Sequence, residues 1–147
     1  MQKRINILKE VPKAYQAVSE LQKYLSSTSL TAIEKGLIEI RASQINGCAF
    51  CINMHTTEAR KHGETEQRIY LLNAWKEADL YTETERAILA LTEEMTLISQ
   101  GGVSDATYAE AERLLGEHKL AEVMMAVVTI NSWNRIAIST QLPVTKA

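Results

Sequence analysis

The chain holds two cysteines, Cys48 and Cys51, three positions apart, with His55 four beyond the second. At about 100° and 1.5 Å per residue of helix, these three side chains fall on one face in successive turns. The thiols then see each other, and one of them sees an imidazole. Gly47 supports a chain reversal just before Cys48, so a new helix is expected to start at the pair. Unpaired backbone N–H groups and the positive end of the helix dipole favour thiolate over thiol there, and a low thiol pKa is expected. A neutral imidazole one turn on accepts a thiol proton, so the pattern points to redox chemistry. Which sulfur attacks stays open: the helix start favours Cys48, and closeness to His55 favours Cys51.

Plainer uses of the same residues compete. Zinc takes four ligands at about 2.0–2.3 Å; Cys48, Cys51 and His55 supply three. His62 lies about 21 Å along the axis from Cys48, and no second Cys-x-x-Cys exists. Redox use therefore ranks above metal binding, and neither a metal nor any other cofactor is called for. A bridge closing so short a loop constrains little unfolded-chain entropy, which disfavours a purely structural staple. His62, beside Gly63, reads as a favourable cation at a helix end, and His118 has no partner in sequence. Trp75, Trp133 and Tyr70 read as core or interface aromatics, and Met124 and Met125 as core filler. Glu34, Glu39 and Arg41 read as solvated or ion-paired groups that a helical hairpin would bring near the cysteines.

The elements that must position these groups read as helices. Both prolines, Pro12 and Pro143, lie near the ends, leaving the interior free of the strongest helix breaker. Apolar positions recur at three and four rather than two. A helix is expected over about Lys13 to Ser26, then a polar link. Thr31 with Glu34 makes a capping box, opening a helix with Ile33, Leu37 and Ile40 on its buried side that stops near Asn46-Gly47. The cysteine helix follows, with Cys48, Cys51, Ile52, His55 and Ala59 on one inward stripe, and Gly63 ends it. Glu66 to Ala78 reads as a short helix. Thr82 with Glu85 is a second capping box, opening a helix whose apolar side is Ile88, Leu91, Met95 and Ile98. After Gly101-Gly102, Ser104 caps a helix ending near Gly116, and the last helix runs from about Lys119 to Thr140. Its Val123 to Val128 segment is apolar all round and must be enclosed, with a subunit interface one way to do it.

The fold class expected is therefore all-α, with about six or seven helices. A length of 147 residues fits one domain, 1–147, and a 46% hydrophobic, 23% charged composition is that of an ordinary globular protein. A net charge of −2 with interspersed signs gives no footprint for nucleic acid or an anionic membrane. The stretch Met1 to Glu10 lacks the uninterrupted apolar region of a secretory signal, and Val123 to Val128 is too short to span a bilayer. A cytoplasmic protein is expected, and in a reducing compartment a cysteine pair is more often catalytic or metal-binding than structural.

Ile40 to His55, reading Ile-Arg-Ala-Ser-Gln-Ile-Asn-Gly-Cys-Ala-Phe-Cys-Ile-Asn-Met-His, closely resembles the core motif of the AhpD-like alkylhydroperoxidase branch of the carboxymuconolactone decarboxylase family. The likeness extends through Glu58-Ala59-Arg60, Gly63-Glu64, Arg68, Asn73-Ala74-Trp75 and Thr129 to Arg135. It implies an all-α AhpD-like domain assembling as a homo-oligomer, a trimer or hexamer. It also implies a thiol peroxidase acting on organic hydroperoxides or hydrogen peroxide: Cys51 attacks the peroxide oxygen, Cys48 closes the disulfide, His55 belongs to a proton relay, and an external dithiol or thiol protein restores the pair. The family's relay usually includes a glutamate twelve residues before the first cysteine. Here that position is Gly36, which moves no proton and costs a helix interior about 1 kcal/mol relative to alanine. Glu39 stands one turn along and Glu34 points elsewhere. The alternatives are a thiol-disulfide oxidoreductase and a non-enzymatic redox sensor; lactone decarboxylation ranks lower, because the decarboxylase lacks this cysteine pair in its usual form.

Overall fold

All the α-helices except the one that opens at Pro12 begin where a side chain accepts an orphan N–H of the first turn. The computed structural model describes residues 4–144; residues 1–3, part of the stretch read for a secretory signal, lie outside the described residues. The helices are α1 (Ile7–Glu10), α2 (Pro12–Tyr24), α3 (Ala32–Asn46), α4 (Ala49–Lys61), α5 (Glu66–Leu71), α6 (Glu83–Thr96) and α7 (Asp105–Thr140), and no strand occurs among the described residues. Both capping boxes form: Thr31 accepts from Glu34 N and Thr82 from Glu85 N, while each glutamate reaches back to the cap backbone. Ser104 caps α7 by accepting from Thr107 N. Gly116 breaks α7 with φ 72° and ψ 160°, a conformation that costs glycine no clash, so the break stands where the sequence places the end of one helix.

The helix α3 lies at the centre, packed against α4, α6 and α7. One of its sides supplies Ile38 and Ala42 to a core with Ile88 and Leu91 of α6 and Leu120, Val123, Val127 and Ile130 of α7. Its other side supplies Leu37 and Ile40 to a second core with Ala59, Leu72, Trp75 and Leu89. Burial of each such aliphatic side chain contributes about 1.5–3 kcal/mol, so α3 is held from two directions.

Several expectations shift. The helix expected over about Lys13 to Ser26 is α2, which ends at Tyr24 and continues as a 3-10 turn, Leu25–Ser27, and the short α1 precedes it. The helix expected to reach Ala78 stops at Leu71, followed by a 3-10 turn, Leu72–Ala74, that still delivers Trp75 to the core. Ile98 falls beyond α6 in another 3-10 turn and is exposed, because the helical period that would have buried it has ended. Tyr70 is 70% exposed rather than a core aromatic. In the apolar segment of α7, Val123, Ala126 and Val127 are buried, but Val128 remains 43% exposed, so the chain by itself encloses only part of that surface.

Candidate active site

The cysteine pair sits at a helix-to-helix junction built by backbone rules. Gly47 takes φ 71° and ψ 32°, the left-handed conformation that closes α3. The Gly47 N–H donates to Gln44 O at 3.2 Å and the Cys48 N–H to Ser43 O at 3.0 Å. Cys48 thereby becomes the N-cap of α4 instead of lying inside its first turn, and its Sγ accepts the Cys51 N–H at 3.3 Å. Cys48 and Cys51 are joined as a disulfide with Cα atoms 5.3 Å apart. Both are buried, at 1% and 2% exposure, against Phe50 and Ala137 of α7. The expected low thiol pKa therefore concerns the reduced pair.

One turn along the same stripe, His55 is buried, and its Nδ1 lies 3.1 Å from Oε2 of Glu39 on α3. The two are within ion-pair distance, but the ring nitrogen is off the line that a hydrogen bond requires, so Nδ1 has no hydrogen-bond partner within the protein. Oε1 of Glu39 accepts from Gln22 Nε2 at 3.3 Å. Glu39 thus brings a carboxylate to His55 from one turn beyond Gly36. Gly36 itself lets α3 and α4 approach: a Cβ there would stand 3.3 Å from Ala59 Cβ. Beside this contact is a cavity of about 250 Å³ bordered by Gly36, Glu39, His55, Ala59 and His62. The structure therefore brings His62 to the same cavity as His55, beyond its place at the end of α4.

Arg41 and Glu34 do not join this site. Arg41 Nε donates to Glu93 Oε1 at 2.9 Å, where Trp75 Nε1 also donates at 2.8 Å, and Lys76 Nζ lies 2.8 Å from Oε2. Burial is the largest single influence on the Glu93 carboxyl and pushes its pKa up, but the hydrogen bonds from Lys76, Trp75 and Arg41 together outweigh it and hold the carboxyl below its ordinary value. Glu34 is spent on its capping box and on Lys119 Nζ at 2.7 Å. His118 lies 3.3 Å from Glu122, away from the cysteines in sequence and on the far segment of α7. Among the described residues, no three His, Cys, Asp or Glu side chains converge as metal ligands, and no helix is long and apolar enough to cross a membrane.

The junction before Cys48 is pinned from α7. Asn46 Nδ2 donates to Asn131 Oδ1 at 2.9 Å and to Asn134 Oδ1 at 2.8 Å, and Asn134 Nδ2 donates to Ser43 Oγ at 3.0 Å. Asn134 is fully buried, so these partners are what make its burial tolerable.

The family model of the carboxymuconolactone decarboxylase family matches residues 10–94, from before α2 to within α6. The chain belongs to this family. The uncharacterized protein YdfG of Bacillus subtilis strain 168 is 42% identical over 139 residues, 95% of each chain. A solved structure from Agrobacterium tumefaciens, of a protein of unknown function named as a candidate antioxidant defence protein AhpD, is 37% identical with a TM-score of 0.94, covering 99% of this chain and 100% of that one. A debrominase in its apo form shares the fold alone, at 19% identity and a TM-score of 0.83 over 94% of this chain and 74% of its own. The AhpD-like, all-α expectation agrees with the structure, and the joined cysteine pair supports a redox role for this family member.

The contact of Glu39 with His55 and the asparagine cluster are what residue spacing leaves unread. The sequence places Glu39 one turn from Gly36 and near the cysteines in a helical hairpin, and the structure supplies its partner, His55. Asn131 and Asn134 stand one turn apart just after the apolar Val123 to Val128 segment of α7, and a buried amide there needs a partner from elsewhere in the chain.

Proposed function

We propose that this single AhpD-like domain is a thiol peroxidase that reduces organic hydroperoxides or hydrogen peroxide. The reduced Cys51 thiolate attacks one peroxide oxygen; the O–O bond breaks, the alkoxide or hydroxide takes a proton from the His55–Glu39 pair, and Cys51 becomes a sulfenic acid. The Cys48 sulfur then attacks Cys51, the disulfide forms and water leaves. An external dithiol or thiol protein reduces the disulfide by exchange. His55 accepts and returns the proton, and Glu39 holds the imidazolium and takes the place of an acid at position 36.

The observation that carries this reading is the joined Cys48–Cys51 pair one helical turn from a buried His55, itself 3.1 Å from Glu39. The remaining apolar surface of α7, with Val128 exposed, supports a homo-oligomer, the family resemblance makes it a trimer or hexamer, and a cytoplasmic setting suits a cycling dithiol.

The test supplies dithiothreitol and measures peroxide loss for the native chain, Cys51→Ser and Cys48→Ser. Native turnover above buffer is expected, both variants are expected to lose it, and a sulfenic acid is expected to be trapped in Cys48→Ser but not in Cys51→Ser. A native chain that consumes no peroxide overturns the reading, and the reverse trapping pattern exchanges the roles of the two sulfurs.

A further inference from the structure

The cavity beside His55 has no part in the sulfur chemistry above. Its floor is the Gly36–Ala59 contact, and its inner wall carries His55 and Glu39. The sulfurs are not among its lining groups. Ala32, Glu58 and His62 also line it and are exposed, so the cavity opens to solvent between α3 and α4.

Two features of the inner wall point to what it takes. His55 is 5% exposed, yet its Nδ1 lacks a hydrogen-bond partner within the protein. A buried polar atom left so costs about 1–3 kcal/mol, unless something in the adjoining space satisfies it. The space is polar and about 250 Å³ in volume, far above the roughly 10–15 Å³ that one water requires. The titratable groups around His55 are Glu39 and Lys35 from α3 and Glu58 and His62 from α4; α2 contributes the neutral Gln22. Lys35 Nζ is held on Leu25 O at 3.2 Å and Gln22 on Glu39, so neither caps the imidazole.

We propose that this cavity is the proton port of the His55–Glu39 pair, a site for water and small protic solutes. A proton carried by His55 passes to water in the cavity and on to solvent at the mouth, and returns by the same route. Oxidising two thiols to a disulfide with one peroxide consumes no net proton. The port therefore governs how fast the pair exchanges protons with solvent and leaves the stoichiometry unchanged. Gly36 keeps the passage open, since any larger side chain there presses on Ala59 and takes space from it. The meaning of the port for turnover rests on the thiol-peroxidase reading, but its existence does not.

The test is hydrogen–deuterium exchange at imidazole C2, read residue by residue by mass spectrometry at the high-pH plateau, without peroxide. In the native chain His55 is expected to exchange within about tenfold of the exposed His62, despite its burial. Ala32→Leu, a substitution at the exposed mouth that keeps a good helix former, is expected to slow His55 more than about threefold while leaving His118 unchanged. Gly36→Leu narrows the floor and is expected to do the same where it folds. Native His55 exchanging more than about tenfold slower than His62, or an Ala32→Leu effect under about threefold, overturns the proposal. Because no peroxide is present, either result is independent of whether the chain is a peroxidase.

Discussion

Replacing Glu39 with glutamine keeps the shape of the side chain and the neighbour at Gln22 but removes the charge facing His55. With the charges 3.1 Å apart, an effective dielectric of about 20 gives a ceiling of ~5 kcal/mol for their attraction. The Glu39 side chain is partly open to solvent at 13% exposure, and halving the ceiling leaves about 2–3 kcal/mol for the positive charge that develops on His55 in the transition state. At 1.36 kcal/mol per factor of ten, Glu39→Gln is expected to lower peroxide turnover roughly 30- to 150-fold. The assay is peroxide loss with excess dithiothreitol, alongside thermal unfolding to show that the fold is intact. A folded Glu39→Gln chain that keeps more than about half of the native rate refutes the reasoning, because the pair would then not carry the proton in the limiting step.

Asn134→Ala strips Ser43 Oγ of a donor and Asn46 of one acceptor inside a fully buried site. It is expected to cost about 2–4 kcal/mol, or about 4–16 °C in melting temperature; a loss below about 1 kcal/mol in urea unfolding would mean that the cluster is not what ties the junction to α7. Acid should weaken the fold through Glu85 as well as Glu93. Burial, the largest influence on Glu85, raises its pKa, but hydrogen bonds from Arg68 and Thr82 outweigh it, and both carboxyls sit below the ordinary value of 4.5. Their contribution is complete above that value and is lost as pH falls through the lower folded ones, so unfolding at about pH 3 should need less urea than at about pH 6, and equal midpoints would count against the two networks.

What could be read from the sequence was what is decided within four residues. The boxes Thr31/Glu34 and Thr82/Glu85, the chain reversal at Gly47, the break at Gly116 and the single stripe of Cys51, His55 and Ala59 each depend on neighbours along one element, and each is present. The pairings that give the site its character join distant segments. Glu39 meets His55 because the small Gly36 brings α3 and α4 together, and no periodicity within α3 encodes that approach. The burial of Ile38 and Ala42 on a second side of α3 likewise follows from α6 and α7 arriving from the other direction. Ile98 is placed inward by an idealised helical period, but the chain turns to a 3-10 conformation before that period applies.

The Cys48 sulfur holds two offices at once. As the acceptor for the Cys51 N–H it secures the opening of α4, and as half of the disulfide it is the atom a reductant must set free or attack through. Order in one helical turn and the oxidation state of the pair are therefore thermodynamically linked. Anything that frays the start of α4 also unshields two sulfurs that are otherwise closed to solvent.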